Sequence, residues 1–222
     1  IMMPSIVDVA GLNKISKTVY RNAILAIAGM ILQNDQLKLE NLEEEYKPLI
    51  AATMFGVTTP CVNYAKDYLE KKGYEVLVFH ATGTSGKTME SLIQAVLDLT
   101  TTEWCDEVVG GVLAAGPARC EAAAKNHIPQ VVSVGALDMV NFGQMDTVPA
   151  EFRNRNLYKH NPGVTLMRTT ATECKEIADK LVEKWNLSSG KTVLLLPLKG
   201  VSMLDAEGQK FYGPEEDKVL FD

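Results

Sequence analysis

Four things are missing from this sequence, and each absence closes a class of function. Lysine and arginine number 22 against 28 acidic residues, for a formal charge of −6. The cations are scattered without a basic cluster, so a nucleic-acid backbone, which is held by a basic surface, is excluded as the main partner. The four cysteines, Cys61, Cys105, Cys120 and Cys174, show no CxxC spacing and stand in or beside apolar helical patterns. They read as reduced, partly buried small hydrophobes rather than zinc ligands. No two of His80, His127 and His160 have metal-ligand spacing, so no metal site is expected. The longest apolar run, Ala23 to Leu32, is 10 residues, against the roughly 20 that a membrane helix needs. With no secretory or transit segment in view, the reading is a cytoplasmic protein that binds neither membrane nor nucleic acid.

What is present is enough apolar residue, 46% of 222, to bury a substantial core. Apolar residues at Ile15, Val19, Ile24, Ile27, Met30 and Ile31 keep near-helical spacing and predict a long helix over residues 13–33, with Asn13 as N-cap. A polar, acidic connection fills 34–46. Short apolar runs at 48–55, 74–79, 95–99, 129–134 and 192–196, each bounded by Gly, Pro or Thr, read as buried strands. Helical patterns over 59–72, 87–94, 103–113, 117–126 and 172–185 separate most of them. Alternation of this kind predicts right-handed crossovers and a parallel sheet covered on both faces. The expected fold is therefore a three-layer, Rossmann-like α/β domain over 47–222, with a mainly parallel sheet of about five strands. Residues 1–46 form a crossover segment and a long helix packing on it. Only about eight residues separate Gly86 from Ala95, where a parallel crossover normally needs roughly a dozen, which points to residues missing after Gln94. The opening residues read as the interior of a folded unit, so the chain reads as an excerpt of a longer protein.

Ligands of open parallel sheets sit beyond the carboxyl ends of the strands, and the loops expected there are chemically rich. The stretch from Ala81 to Thr88 nearly spells a P-loop, with Ala81 in place of the first glycine. Thr82, Gly83, Thr84, Ser85 and Gly86 are candidate backbone and hydroxyl contacts to an anion, with Lys87 as its counter-charge. Nucleotide hydrolysis would need a magnesium-binding Asp at the end of a second strand, and Asp98, the one near candidate, falls mid-strand. Thr58 and Thr59 open a helix before Pro60, and capping alone explains them, although a second anion-binding helix start on the same rim is attractive. Thr101, Thr102, Glu103, Asp138 and Asn141 are candidate polar selectors, and His80, ending a strand, is the candidate catalytic proton carrier. His127 reads as a helix-end dipole partner, and the purpose of His160 is not legible. Ser85 lacks a GxSxG elbow, so a serine hydrolase finds little support.

Several blocks match a known family. They are 2–13 (MMPSIVDVAGLN), 54–60 (MFGVTTP), 79–83 (FHATG), 97–103 (LDLTTTE), 135–143 (GALDMVNFG), His160-Asn161, 166–170 (LMRTT) and 200–206 (GVSMLDA). Over essentially its whole length the chain resembles the family of the tomato mosaic virus resistance protein and its microbial relatives. The resemblance implies an ATP-binding domain N-terminal to an α/β domain like this one, with the ATP contacts mainly in that preceding domain. It also implies a glycine-rich loop without Gly-Lys-Thr, and more residues before the Leu97-Asp98-Leu99 strand than this chain has. The expected function is binding of a small anionic or phosphorylated ligand at the strand-end loops, with no cofactor assigned. The alternative is a protein-interaction domain that assembles into a homo-oligomer through the long helix or docks on the N-terminal domain.

Overall fold

The structure, a computed structural model, describes residues 14–36, 47–83 and 94–222. The chain divides into two compact units, Ile1–Tyr46 and Lys47–Asp222. In the first, helix α1 spans Lys14–Gln36, a little longer than its periodicity predicts. Its middle is apolar around the whole circumference: Ile24, Leu25, Ile27, Met30, Ile31 and Leu32 are all exposed. The N-cap expected at Asn13 and most of the acidic connection lie outside the described residues.

In the second unit the apolar runs form the expected strands: β1 (Leu49–Met54), β2 (Glu75–His80), β3 (Ala95–Thr100) and β4 (Gln130–Gly135). The final run gives Thr192–Leu195, which is β8 because three strands intervene. Together they make one parallel sheet in the order β2-β1-β3-β4-β8. Successive side chains of a strand point to opposite faces, and both faces are covered at the central strands. Ile50, Ala52 and Leu99 pack on helix α2 (Thr59–Glu70) through Val62. On the other face Ala51 and Val96 meet Ala123 of the short helix α4 (Ala122–Lys125). Val132 and Val134 join a larger cluster with Trp104 of α3 (Glu103–Val109) and Ile177 and Leu181 of α5 (Ala171–Trp185). This is the three-layer α/β arrangement expected. The crossover from β2 to β3 passes through residues 84–93, which lie outside the described residues, as does the helix expected there.

Helix α5 shows why its sequence folds as it does. Cys174, Ile177, Leu181 and Trp185, spaced three or four apart, give one buried stripe, worth about 1.5–3 kcal/mol for each large side chain. Its start is fixed by a capping box: the Thr170 hydroxyl accepts from the Glu173 N–H at 3.3 Å, and the Glu173 carboxylate accepts from the Thr170 N–H at 2.7 Å.

Two expectations fail locally. The helical pattern over 117–126 shrinks to Ala122–Lys125, because Cys120 takes a left-handed backbone, φ 72°, and ends any helix begun at Pro117. The segment 135–143, expected as a rim loop, instead contains strand β5 (Met139–Phe142) of a second sheet. There β7 (Val164–Arg168) lies between β5 and β6 (Leu157–Asn161), all antiparallel. Every residue of β5 is buried, so it lacks the polar alternation by which an antiparallel strand is recognised. This sheet rests on its own small core of Val57, Ala136, Met139, Leu166 and Phe211. The chain ends in helix α6 (Pro214–Phe221).

Candidate ligand-binding site

The first rim loop is a turn locked by hydroxyls. The Phe55 N–H donates to the Thr58 hydroxyl at 3.0 Å, the Thr59 hydroxyl donates to the Phe55 carbonyl at 3.1 Å, and the Thr58 and Thr100 hydroxyls share a hydrogen bond of 2.8 Å. Neither threonine caps α2 through its side chain. The Thr58 hydroxyl ties this turn to β3 and that of Thr59 closes the turn itself, so both serve the scaffold. Gly135 lets β4 approach this junction: a Cβ there would sit 2.2 Å from the Leu99 carbonyl oxygen.

His80 ends β2 with its ring stacked on Phe55, centroids 5.4 Å apart, and its Nδ1 3.4 Å from the Met54 carbonyl. These contacts turn the ring toward a cavity of about 300 Å³ whose polar lining is His80, Thr82, Asn141, His160 and Asn161. Val57, Leu113 and Leu166 are among its apolar walls. Four segments meet there: the turn after β1, the end of β2, the loop after α3, and the second sheet. His160, which the sequence left without a purpose, thus stands across the same cavity as His80. Gly83 ends the described part of the loop after β2, and Thr84, Ser85, Gly86 and Lys87 lie outside the described residues.

Thr101, Thr102, Glu103 and Asp138 are placed differently. All four are buried, Glu103 at 1% exposure; the partners of Thr101, Glu103 and Asp138 are internal, and the Thr102 hydroxyl has no hydrogen-bond partner among the described residues. The Thr101 hydroxyl donates to the Ser133 carbonyl at 3.1 Å. Glu103 faces Arg119, whose Nε is 3.4 Å from its carboxylate. The same guanidinium holds Asp98 in a two-pronged pair, Nη1 to Oδ2 at 2.6 Å and Nη2 to Oδ1 at 2.7 Å, while the Thr53 hydroxyl donates to Asp98 Oδ1 at 2.8 Å. Burial pushes the Glu103 carboxyl above its usual range, with Arg119 pulling the other way. Asp98 is thereby spent on an internal ion pair beneath the rim, and a magnesium role for it has no opening to act through. Asp138 accepts the Ser202 hydroxyl at 2.7 Å, and burial lifts its carboxyl to about 7.

Asn141 belongs to β5, and its setting is specific. Its backbone N–H donates to Asp106 Oδ1 at 2.6 Å, and its Nδ2 donates to Asp106 Oδ2 at 2.8 Å. Both oxygens of one carboxylate clamp one residue. Gly111 makes room for this, since a Cβ there would lie 1.6 Å from Asp106 Oδ1. Asp106, on α3, was not singled out by the sequence. Its one cue is helical spacing: it follows Glu103 by three residues, which puts both carboxyls toward the interior. A second buried charge cluster stands beside Asp138, where Arg168 Nη2 meets Asp205 at 3.2 Å and Asp217 at 3.0 Å. Among the described residues, no group of three or more His, Cys, Asp or Glu side chains is placed to hold a metal ion. No described helix is long and apolar enough to cross a membrane.

Comparison with known proteins gives a consistent match. Residues 47–222 match the C-terminal domain of the group described as Uncharacterised protein family (UPF0261), and residues 1–36 match its N-terminal domain. A UPF0261 protein of Clostridium tetani is 60% identical over 99% of this chain and 54% of its own length. The tomato (Solanum lycopersicum) ToMV resistance protein Tm-1(GCR237) is 50% identical over 99% of this chain and 30% of its own length. A UPF0261 protein of Mesorhizobium japonicum is 49% identical over the whole chain and 55% of its own length. The chain therefore spans about half the length of these bacterial relatives, and less of the tomato protein.

Proposed function

From its membership of the UPF0261 family, to which this chain belongs, we propose that residues 47–222 are a ligand-binding α/β domain of a larger protein. Its occupant is a small anionic molecule held at the carboxyl edge of the parallel sheet. The observation that carries this reading is the cavity of about 300 Å³ in which His80, Thr82, Asn141, His160 and Asn161 converge from separate elements. Apolar walls with a few convergent polar groups, placed where an open α/β sheet takes its ligands, are the ordinary anatomy of a small-molecule site. Two imidazoles supply donors for an anion, and Lys87, a few residues beyond Thr82, is the counter-charge in this reading. His80 is the proton carrier, its Nδ1 turned to the Met54 carbonyl and its Nε2 left for the ligand. ATP, if the whole protein uses it, falls to the N-terminal domain.

The test is to follow the ring resonances of His80 and His160 in isotope-labelled protein during titration with inorganic phosphate, sulfate and a panel of small carboxylates and phosphate esters. Both rings are expected to shift together with one probe, and His80→Ala to weaken that probe by about tenfold, the loss of one charged hydrogen bond. If no probe moves either ring, the reading is wrong.

A second reading, assembly with another protein chain, is favoured by β8. It is an edge strand whose four residues are all exposed, with Leu198 beyond it 80% exposed. Unpaired apolar edges are sites of strand addition. Solution mass supports assembly if a dimer of the unaltered protein becomes a monomer in Leu194→Lys. A monomer before and after removes it.

A further inference from the structure

Asn141, one of the residues lining the cavity, carries an acceptor that no described residue satisfies. Asn141 is 1% exposed, and its backbone N–H and its amide Nδ2 both donate to the Asp106 carboxylate, while its Oδ1 has no hydrogen-bond partner among the described residues. An ionised carboxylate only accepts, so the amide is oriented: Nδ2 faces Asp106 and Oδ1 faces away. Leaving a buried acceptor unpaired costs about 1–3 kcal/mol. While Asp106 is ionised, the clamp keeps Oδ1 turned away from it. Three of the side chains lining the cavity are themselves buried, Val57, Asn141 and Leu166, and Asn141 is the polar one.

We propose that Asn141 is the specificity-determining residue of this cavity, selecting ligands that present an O–H or N–H donor beside their anionic group, and that Asp106 is the positioning residue that holds its amide. The substrate class is accordingly a small hydroxylated or aminated acid, or the hydroxylated ester of a phosphate, rather than a plain acid. This rests on the ligand-binding reading above. The logic is one of exclusion: a ligand without the donor buries the lone acceptor again and gains nothing from it, whereas one with the donor recovers the cost.

The experiment compares matched probes on the folded protein: glycolate against acetate, and glycerol 1-phosphate against propyl phosphate. Binding is read from the His80 and His160 ring resonances at about pH 8, where Asp106, lifted by burial to about 7, is mostly ionised. The hydroxylated member of at least one pair is expected to bind about tenfold more tightly, the equivalent of one recovered hydrogen bond. In Asp106→Asn the amide of Asn141 is free to turn, and that preference is expected to fall toward unity. Equal affinities within both pairs, with both rings shifting, overturn the specificity and leave the cavity as a binding site. Rings that stay still with all four probes overturn both. A preference that survives in Asp106→Asn overturns the positioning role. The comparison in the unaltered protein stands even if that variant does not fold.

Discussion

Replacing Arg119 by Met tests the ion pair beneath the rim. The guanidinium is 1% exposed and makes bonds of 2.6 and 2.7 Å to Asp98, itself 3% exposed, and a third approach of 3.4 Å to Glu103. Methionine keeps the unbranched apolar stem of the side chain but carries no donor, so the Thr53 hydroxyl remains on Asp98 and the rest of the charge is abandoned in a dry interior. Breaking one partner out of a buried pair costs about 3–5 kcal/mol. The upper part of that range is expected here, because two carboxylates lose one cation. Against a domain stability of about 5–15 kcal/mol, that is a large fraction. The penalty must also depend on pH, since a stranded carboxylate can take up a proton in place of its lost partner. Urea unfolding followed by the fluorescence of the two tryptophans, at about pH 5.5 and about pH 8, should show the greater loss at the higher pH. Adding Asp98→Asn to the variant should restore part of the stability. A loss under about 1 kcal/mol at the higher pH, or one equal at both, would refute this account of the cluster.

Other consequences are as direct. Gly135→Ala forces a methyl group against the Leu99 carbonyl at 2.2 Å and should destabilise by about 3 kcal/mol or more, whereas Gly56→Ala, with nothing within 4 Å of its Cβ, should stay within about 0.5 kcal/mol. Urea midpoints compare the two. Asp106 and Asp138 are both held by burial up to about 7, above the roughly 3.9 of an unfolded aspartate. Their contribution is full below the unfolded value and is lost as pH rises through the folded one, so unfolding free energy measured between about pH 5 and 8 should fall, by up to about 1.4 kcal/mol per pH unit for each group. A rise over that interval would contradict it. Thr170→Ala removes the cap of α5 and should cost about 1 kcal/mol, read as a lower thermal midpoint.

The five parallel strands were legible because each is a short apolar run between breakers, and such runs need no knowledge of their neighbours; β8 keeps that pattern although all four of its residues are exposed. Helix α5 was legible for a similar local reason, a stripe at helical spacing behind a capping residue. The second sheet was not. Strand β5 looks like its surroundings because all four of its residues are buried, and only pairing with β7 makes it a strand. That pairing moved Asn141 from an expected loop into the cavity wall. Arg119 was overlooked although it is the single Lys or Arg between Ala95 and Ala124, a stretch with several acids. A lone cation among acids and apolar residues is a cue to a buried pair, but the pairing itself spans a sequence separation that no local pattern reports.

The sequence by itself determined the class of fold, because the periodicity that marks strands and helices is a property of short segments. Only the tertiary structure decided which polar residues reach a cavity and which are consumed inside. Thr101, Thr102, Glu103 and Asp138 are buried away from that cavity, whereas His80, Thr82 and Asn141 line it, and no local pattern reports the difference.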